Sequence, residues 1–205
     1  MRQAETFLQG EGDAYYERNK DKPRVPDPVL DAIEACKIQP KSVLELGSGT
    51  GWRLAEIDRL YKPLHLVGHE PSDEAVQNRL VPNVFKSDAL SAVSYIKKDF
   101  YDLVIFGFCL YLVDREDLMM IAAHTDRILK DGGHIVIHDF YEDERPYKRA
   151  YKHKEGVWSY HMCYPDLWRC NPSYIVIEHM PCKEENVHVH VLKKDMANAF
   201  QEKKI

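Results

Sequence analysis

Ser42-Val43-Leu44-Glu45-Leu46-Gly47-Ser48-Gly49-Thr50-Gly51-Trp52 carries an apolar strand into three alternating glycines, and a helical pattern begins at Trp52. Glycine adopts backbone shapes that other residues resist and lets a ligand approach the main chain. A glycine turn between a strand and a helix N-terminus is a nucleotide-binding device of open α/β sheets. The dinucleotide form is Gly-x-Gly-x-x-Gly, whose last glycine lets the helix pack on the strand. Here the third glycine is Gly51, and Trp52 occupies the place the fingerprint reserves for glycine. A bulky indole there argues against a pyrophosphate ligand. No Gly-Lys-Ser/Thr follows, so a Walker phosphate loop is excluded as well.

Working outward, strands and helices alternate. Asp27 caps a helix that starts at Pro28 and runs to about Lys37. Leu64–Glu70 reads as a second strand, Val84-Phe85 as a third, Tyr101–Phe106 as a fourth and His134–His138 as a fifth. The helices between them span Trp52–Leu60, a segment capped by Ser72, Leu90–Lys97 and Asp114–Leu129. This alternation predicts a parallel sheet covered on both faces, with right-handed crossovers. Ser173–Glu178 and Val187–Leu192 read as an antiparallel hairpin at the sheet edge. The expected architecture is a single-domain, Rossmann-like α/β fold. Residues 1–28 form an arm or lid, 29–195 the ligand-binding domain with a substrate-facing insertion at 140–172, and 196–205 a polar tail.

Bulk properties narrow the class. The 205 residues suffice for one domain with a sizeable core. A net charge of −5 provides no global field for nucleic acid or an anionic membrane. No run approaches the roughly 18 apolar residues of a membrane span, and the first residues carry no apolar signal. Five scattered cysteines without a CxxC pair fit reduced thiols in the cytoplasm.

Three features match an adenosine-type ligand lying across the strand C-termini. Glu70 ends the second strand, where an acid accepts from two ribose hydroxyls. Asp88 follows the third strand, positioned to accept from an adenine amine, and Phe106-Gly107-Phe108 ends the fourth, beside the ring. Val43–Gly51, Gly68-His69-Glu70, Ser87-Asp88-Ala89, Tyr101–Phe106 and Leu129–Asp139 together resemble the class I S-adenosylmethionine-dependent methyltransferases, over about residues 30–140. The resemblance implies a seven-stranded sheet and S-adenosylmethionine as cofactor. It implies that Gly47, Gly49 and Gly51 pass the methionine part, that Glu70 binds the ribose and that Asp88 with Ala89 meets the adenine. Glu45, Ser48, Pro71, Phe106 and Gly107 complete the expected cofactor-binding set. The arm Glu11–Asn19 and the segment Tyr151–Met162 are similar to small bacterial methyltransferases associated with pseudaminic acid and other surface-sugar pathways. That resemblance implies that Tyr15, Arg18 and Asn19 cover the cofactor.

Methyl transfer from a sulfonium asks for positioning and desolvation, plus a base when the acceptor is a hydroxyl or an ammonium. His138-Asp139 at the end of the fifth strand and His161 are the candidate catalytic groups, though adjacent strand residues face opposite ways. Tyr111, Tyr160 and Tyr164 are candidate substrate contacts, and Cys109 either lines the pocket or packs. His188 and His190 share a strand face beside Glu178 and His179, but alternating valines explain the pattern as a half-exposed strand, and no metal is expected. The basic run Lys148–Lys154 with its tyrosines fits a small acidic or nucleotide-linked acceptor better than RNA. A small-molecule acceptor is the expected partner; the sequence leaves the acceptor atom and the oligomeric state open.

Overall fold

The computed structural model describes residues 2–184 and 186–199. The arm comprises α1 (Gln3–Thr6), a π turn (Phe7–Glu11) and α2 (Gly12–Asn19). Then follow α3 (Pro28–Ala35), β1 (Ser42–Leu46), α4 (Trp52–Tyr61), β2 (His65–Glu70), α5 (Asp73–Gln77), β3 (Val84–Lys86) and α6 (Ala89–Ser94). β4 (Tyr101–Gly107), a 3-10 turn (Leu110–Leu112), α7 (Leu118–Ile128) and β5 (Leu129–Phe140) complete the alternating part. The remainder is β6 (Tyr147–Ala150), β7 (Trp158–His161), α8 (Asp166–Arg169), β8 (Tyr174–Pro181), β9 (Val187–Lys194) and α9 (Met196–Ala199).

Seven strands form one sheet in the order β3-β2-β1-β4-β5-β9-β8. β1 to β5 are mutually parallel, and β9 runs antiparallel to both β5 and β8. The fold class read from the sequence is therefore the observed one. The strand order reverses between β1 and β4, the place where open α/β sheets leave a crevice at the strand C-termini. Burial of both faces explains the continuous apolar runs of β1 and β4. On one face, Val29 and Ile33 of α3 and Leu54 and Ile57 of α4 pack on Val43, Leu103, Ile105 and Val136. On the other, Ile121 and Ile128 of α7, with Trp168 of α8, cover Leu44, Leu46, Val104 and Phe106. Among the described residues no helix is long and apolar enough to cross a membrane.

Several boundaries differ from expectation for identifiable reasons. The arm is helical, kinked at Gly10, whose φ of 139° only glycine tolerates readily. α7 begins at Leu118 rather than Asp114, because Asp114 is spent on the arm: its carboxylate accepts from the Gln3 and Ala4 N–H groups, both at 2.9 Å. The 140–172 segment holds an additional two-stranded ribbon, β6 with β7. Its strand β6 is exposed throughout, so no apolar alternation marked it. Of the hairpin's two strands, β9 lies inside the sheet and β8 forms the edge. The expected tail helix is described over Met196–Ala199; positions 200–205 lie outside the described residues.

Candidate active site

A cavity of about 890 Å³ opens at the C-terminal ends of β1, β2 and β4. The glycine turn forms its floor. Gly47, Gly49 and Gly51 all take positive φ, at 72°, 55° and 72°. Gly49 has open space where a side chain would stand, whereas a Cβ at Gly47 would lie 2.7 Å from the Cys109 Cβ. A Cβ at Gly51 would lie 2.8 Å from Val84, so this glycine lets α4 approach β3. Trp52 lines the cavity, carrying the Arg53 guanidinium 5.1 Å over its ring. The indole thus faces the ligand space, and Gly51 makes the close helix approach instead.

Glu70 reaches back under the loop. Its carboxylate accepts from the Gly49 N–H at 2.9 Å and the Ser72 N–H at 3.1 Å. Burial pushes the Glu70 carboxyl up to about 7, with the two N–H groups pulling the other way. Asp88 caps α6, its two oxygens accepting from the Ser91 N–H at 2.9 Å and the Ser91 hydroxyl at 2.6 Å. Pro71, Ala89, Ser48 and Gly107 also line the cavity. The Ser48 hydroxyl is buried without a hydrogen-bond partner.

The arm forms the roof. Asp13 accepts from the Ser72 hydroxyl at 2.7 Å and the Glu74 N–H at 3.0 Å, tying α2 to the start of α5. Gln3 donates to the Leu112 carbonyl at 2.8 Å and accepts from the Trp158 N–H at 2.6 Å. Tyr15 and Asn19 face the cavity. Burial pushes the Tyr15 phenol up to about 12. Arg18 points elsewhere, pairing with Glu11 at 2.5 Å and donating to the Tyr151 hydroxyl at 3.1 Å.

His138 and Asp139 separate as strand alternation requires. His138 lines the cavity with an unpartnered, buried Nδ1. Burial first, then the Arg53 charge, lowers it to about 4, so the ring is neutral at ordinary pH. Asp139 faces the other way and accepts from the Leu110 N–H at 2.8 Å and the Phe140 N–H at 2.8 Å, shaping the turn after β4. Burial raises its carboxyl to about 7. Within that turn Phe108 lines the cavity at φ 63°, an unusual backbone for a bulky residue, and its ring lies 5.3 Å from His138.

The other candidates do not line the cavity. His161 is buried against Tyr147 and Phe140, with its nitrogens 3.2 Å from the Tyr147 hydroxyl and 2.8 Å from the Ser159 hydroxyl. Phe106 packs on Trp168 in the core. Tyr111 is buried against Phe108 and Phe140. Tyr164 is buried and donates to the Tyr160 carbonyl at 2.9 Å. Glu45 lies beneath the cavity, paired with Arg53. The basic run also stays outside, Lys148 over Trp158 and Arg149 over Phe140.

The buried Arg53 network was not anticipated, and a histidine cluster is tighter than linear spacing suggested. Arg53, buried, bridges Glu45 and Asp27, binding Asp27 through Nε at 3.0 Å and Nη2 at 2.9 Å. Its signal was an arginine in the first turn of α4, a position the helix dipole disfavours. His179, His188 and His190, which the sequence placed on facing strands with no metal expected, converge on one face of β8 and β9. The antiparallel register, which places His179 opposite His190, supplies the convergence that linear spacing lacks.

A family model described as a methyltransferase domain matches residues 16–201. No curated protein gives a significant sequence match. Among solved structures, Burkholderia thailandensis 1,6-didemethyltoxoflavin-N1-methyltransferase, with bound 1,6-didemethyltoxoflavin and S-adenosylhomocysteine, superposes with a TM-score of 0.72 at 14% identity, covering 93% of this chain and 88% of that one. The partner of the Haloferax volcanii Trm112 methyltransferase activator, in their complex, gives 0.68 at 18% identity, covering 93% and 99%. An S-adenosylmethionine-dependent methyltransferase from Mesorhizobium loti gives 0.62 at 14% identity, covering 82% and 99%. At these identities the likeness is one of fold.

Proposed function

The chain belongs to the methyltransferase domain family and is an S-adenosylmethionine-dependent methyltransferase, and from that premise we propose that its acceptor is a small molecule, of the sugar or sugar-nucleotide class. The observation that carries the proposal is the cavity itself. About 890 Å³ lies near the upper end of the range for small-ligand sites, and the arm roofs it. That volume accommodates a nucleoside cofactor with a small acceptor beside it, and a roof obstructs a polymer.

The residues fit the cofactor. Gly49 leaves open space for a ligand beside the main chain. A carboxylate has about four acceptor sites. Glu70 uses two on backbone N–H groups, which leaves capacity for a ribose diol. Asp88 and Ala89 line the same cavity at the start of α6. When bound, the cofactor supplies an electrophilic sulfonium methyl with a neutral thioether as leaving group. The chain's own part is to orient, to exclude water and to accept a proton.

His138 is suited to the last task. Its ring is neutral and it faces the cavity. His138 would take the proton of an acceptor hydroxyl as that oxygen is methylated. The low pKa makes His138 a weak base but an always-available one. Lys22, Arg24 and Lys183 on the cavity wall offer cations for a carboxylate or phosphate on the acceptor, with Asp31 and Glu184 nearby to accept from hydroxyls.

Calorimetry with S-adenosylhomocysteine, followed by turnover assays on sugar and sugar-nucleotide pools, tests the reading. Binding of the demethylated cofactor together with methylation of a sugar acceptor is the expected result. Cofactor binding with turnover only on RNA or protein substrates overturns the acceptor class.

A further inference from the structure

Outside the cavity, β8 and β9 bring three imidazoles to one place. His188 and His190 are two residues apart on β9, so both project from the same face of the sheet. His179 stands opposite His190 in the antiparallel register, within reach of a cross-strand contact. One ring nitrogen from each of the three lies within 4.8 Å of the others, and His179 Nε2 is 2.6 Å from His188 Nδ1. His190 is buried, His188 half-buried and His179 exposed. Tyr141 stacks on the His188 ring at 4.5 Å, and its hydroxyl donates to the Asp143 carboxylate at 3.1 Å.

We propose that His179, His188 and His190 form a binding site for a divalent late transition-metal ion of the zinc type, with water completing the coordination. Three imidazole nitrogens suit zinc, cobalt, nickel or copper and do not suit magnesium or calcium, which take oxygen ligands. Tetrahedral zinc–nitrogen bonds of about 2.0–2.1 Å place ligand nitrogens roughly 3.4 Å apart. The separations here, from 2.6 Å to no more than 4.8 Å, bracket that spacing. Closing on an ion requires His179 to turn out of its stack on His190, where the rings lie 4.1 Å apart. Its exposure leaves that torsion free, while burial fixes His190 as the anchor. Asp143, tied to Tyr141, offers a nearby negative charge to offset the ion.

The site has a structural consequence. The hairpin that carries the three histidines also carries Pro181, Cys182, Lys183, Glu184 and Val187 on the cavity wall. His188 pairs directly with Pro181. An ion bridging the two strands pins the base of the turn that forms this wall. The site stands on the hairpin alone and is independent of which acceptor the enzyme uses.

The test is titration of the untagged full chain with Co²⁺, read by visible absorption, and displacement by Zn²⁺. The expected result is one Co²⁺ per chain with the bands of a nitrogen-ligated ion, and a Zn²⁺-dependent rise in melting temperature. His179→Ala and His188→Ala remove an exposed and a half-buried ring, so the fold, monitored by circular dichroism, stays intact while affinity falls by at least about tenfold. Absence of Co²⁺ or Zn²⁺ binding at millimolar concentration overturns the proposal. Binding that neither variant weakens also overturns it, since it would place the ion on the cysteines.

Discussion

Replacing Arg53 with methionine tests the buried charge network beneath the glycine turn. The guanidinium donates to both oxygens of Asp27 and, through Nη1, to Glu45. Relative exposures are 7% for Arg53, 5% for Asp27 and 0% for Glu45. One cation cannot neutralise two carboxylates in a dry site, and burial pushes the Glu45 carboxyl up to about 7 even with Arg53 beside it. Methionine keeps much of the volume but leaves both acids without a counter-charge. Breaking a buried pair in this way costs about 3–5 kcal/mol. For a domain of this size that is a fall in melting temperature of about 6–20 °C. The sign of the pH dependence follows from linkage. Without the cation the folded-state pKa of Glu45 rises further above the unfolded value of about 4. The deficit is therefore present at high pH and shrinks as pH falls and Glu45 protonates. Urea denaturation of both proteins at pH 7.5 and pH 5.5 measures it. A loss below about 1 kcal/mol, or one equal at the two pH values, refutes the reasoning. Adding Glu45→Met to Arg53→Met removes one orphaned acid and restores part of the stability.

Three other outcomes follow from the site. Glu70→Ala removes the acceptor of the Gly49 and Ser72 N–H groups along with any ribose contact, so calorimetry should show S-adenosylhomocysteine binding weakened about 10- to 100-fold; unchanged affinity would refute the placement. His138→Ala should lower kcat about 100-fold while leaving cofactor affinity intact. Because the imidazole acts unprotonated and burial holds it at about 4, wild-type kcat at saturating cofactor and acceptor should stay flat through neutral pH and decline only on approach to pH 4, whereas binding of the cofactor follows the Glu70 carboxyl at about 7; an inflection of kcat near 6.5 would point to another base. Gly51→Ala forces a Cβ to within 2.8 Å of Val84 and 2.9 Å of Val81 at φ 72°, and thermal melting should show a loss of about 1–3 kcal/mol.

Periodicity made the sheet and its order of elements legible, because β1 and β4 are buried on both faces and the crossover helices carry clear apolar stripes. The arm was not legible as helix. α2 offers the core only Gly12 as a buried residue, and the arm as a whole draws on polar contacts from Asp13, Gln3 and Arg2 with residues 59 to 155 positions away. Such contacts leave no local pattern. The positions of Glu70, Asp88 and the glycine turn on the cavity wall were legible because strand ends follow from topology. The catalytic candidates were only half so. Alternation along β5 guaranteed that His138 and Asp139 would part, but only the structure shows which one meets the cavity. Tyr111, Tyr160, Tyr164 and His161 are polar aromatics that read equally well as pocket or core, and the fold uses them around Phe140 and the turn after β4.

The glycine turn itself shows why residue type alone assigns a ligand contact poorly. Gly47, Gly49 and Gly51 share a left-handed backbone, so all three look like ligand-facing positions. Their surroundings differ. Gly47 is small because Cys109, whose thiol sits 3.3 Å from the Leu46 carbonyl, fills the space on its far side. Gly51 is small because α4 must approach the valines at and before β3. Only Gly49 of the three faces open space, and its N–H is the one held by Glu70. Gly68 extends the same logic to β2, where a Cβ would stand 2.5 Å from the Ser48 hydroxyl. Two of the turn's glycines are thus consumed in bringing strand, helix and neighbouring loop together. That convergence presents one free backbone position and one buried carboxylate to the same cavity, and the neutral imidazole of His138 reaches it from across the strand-order reversal.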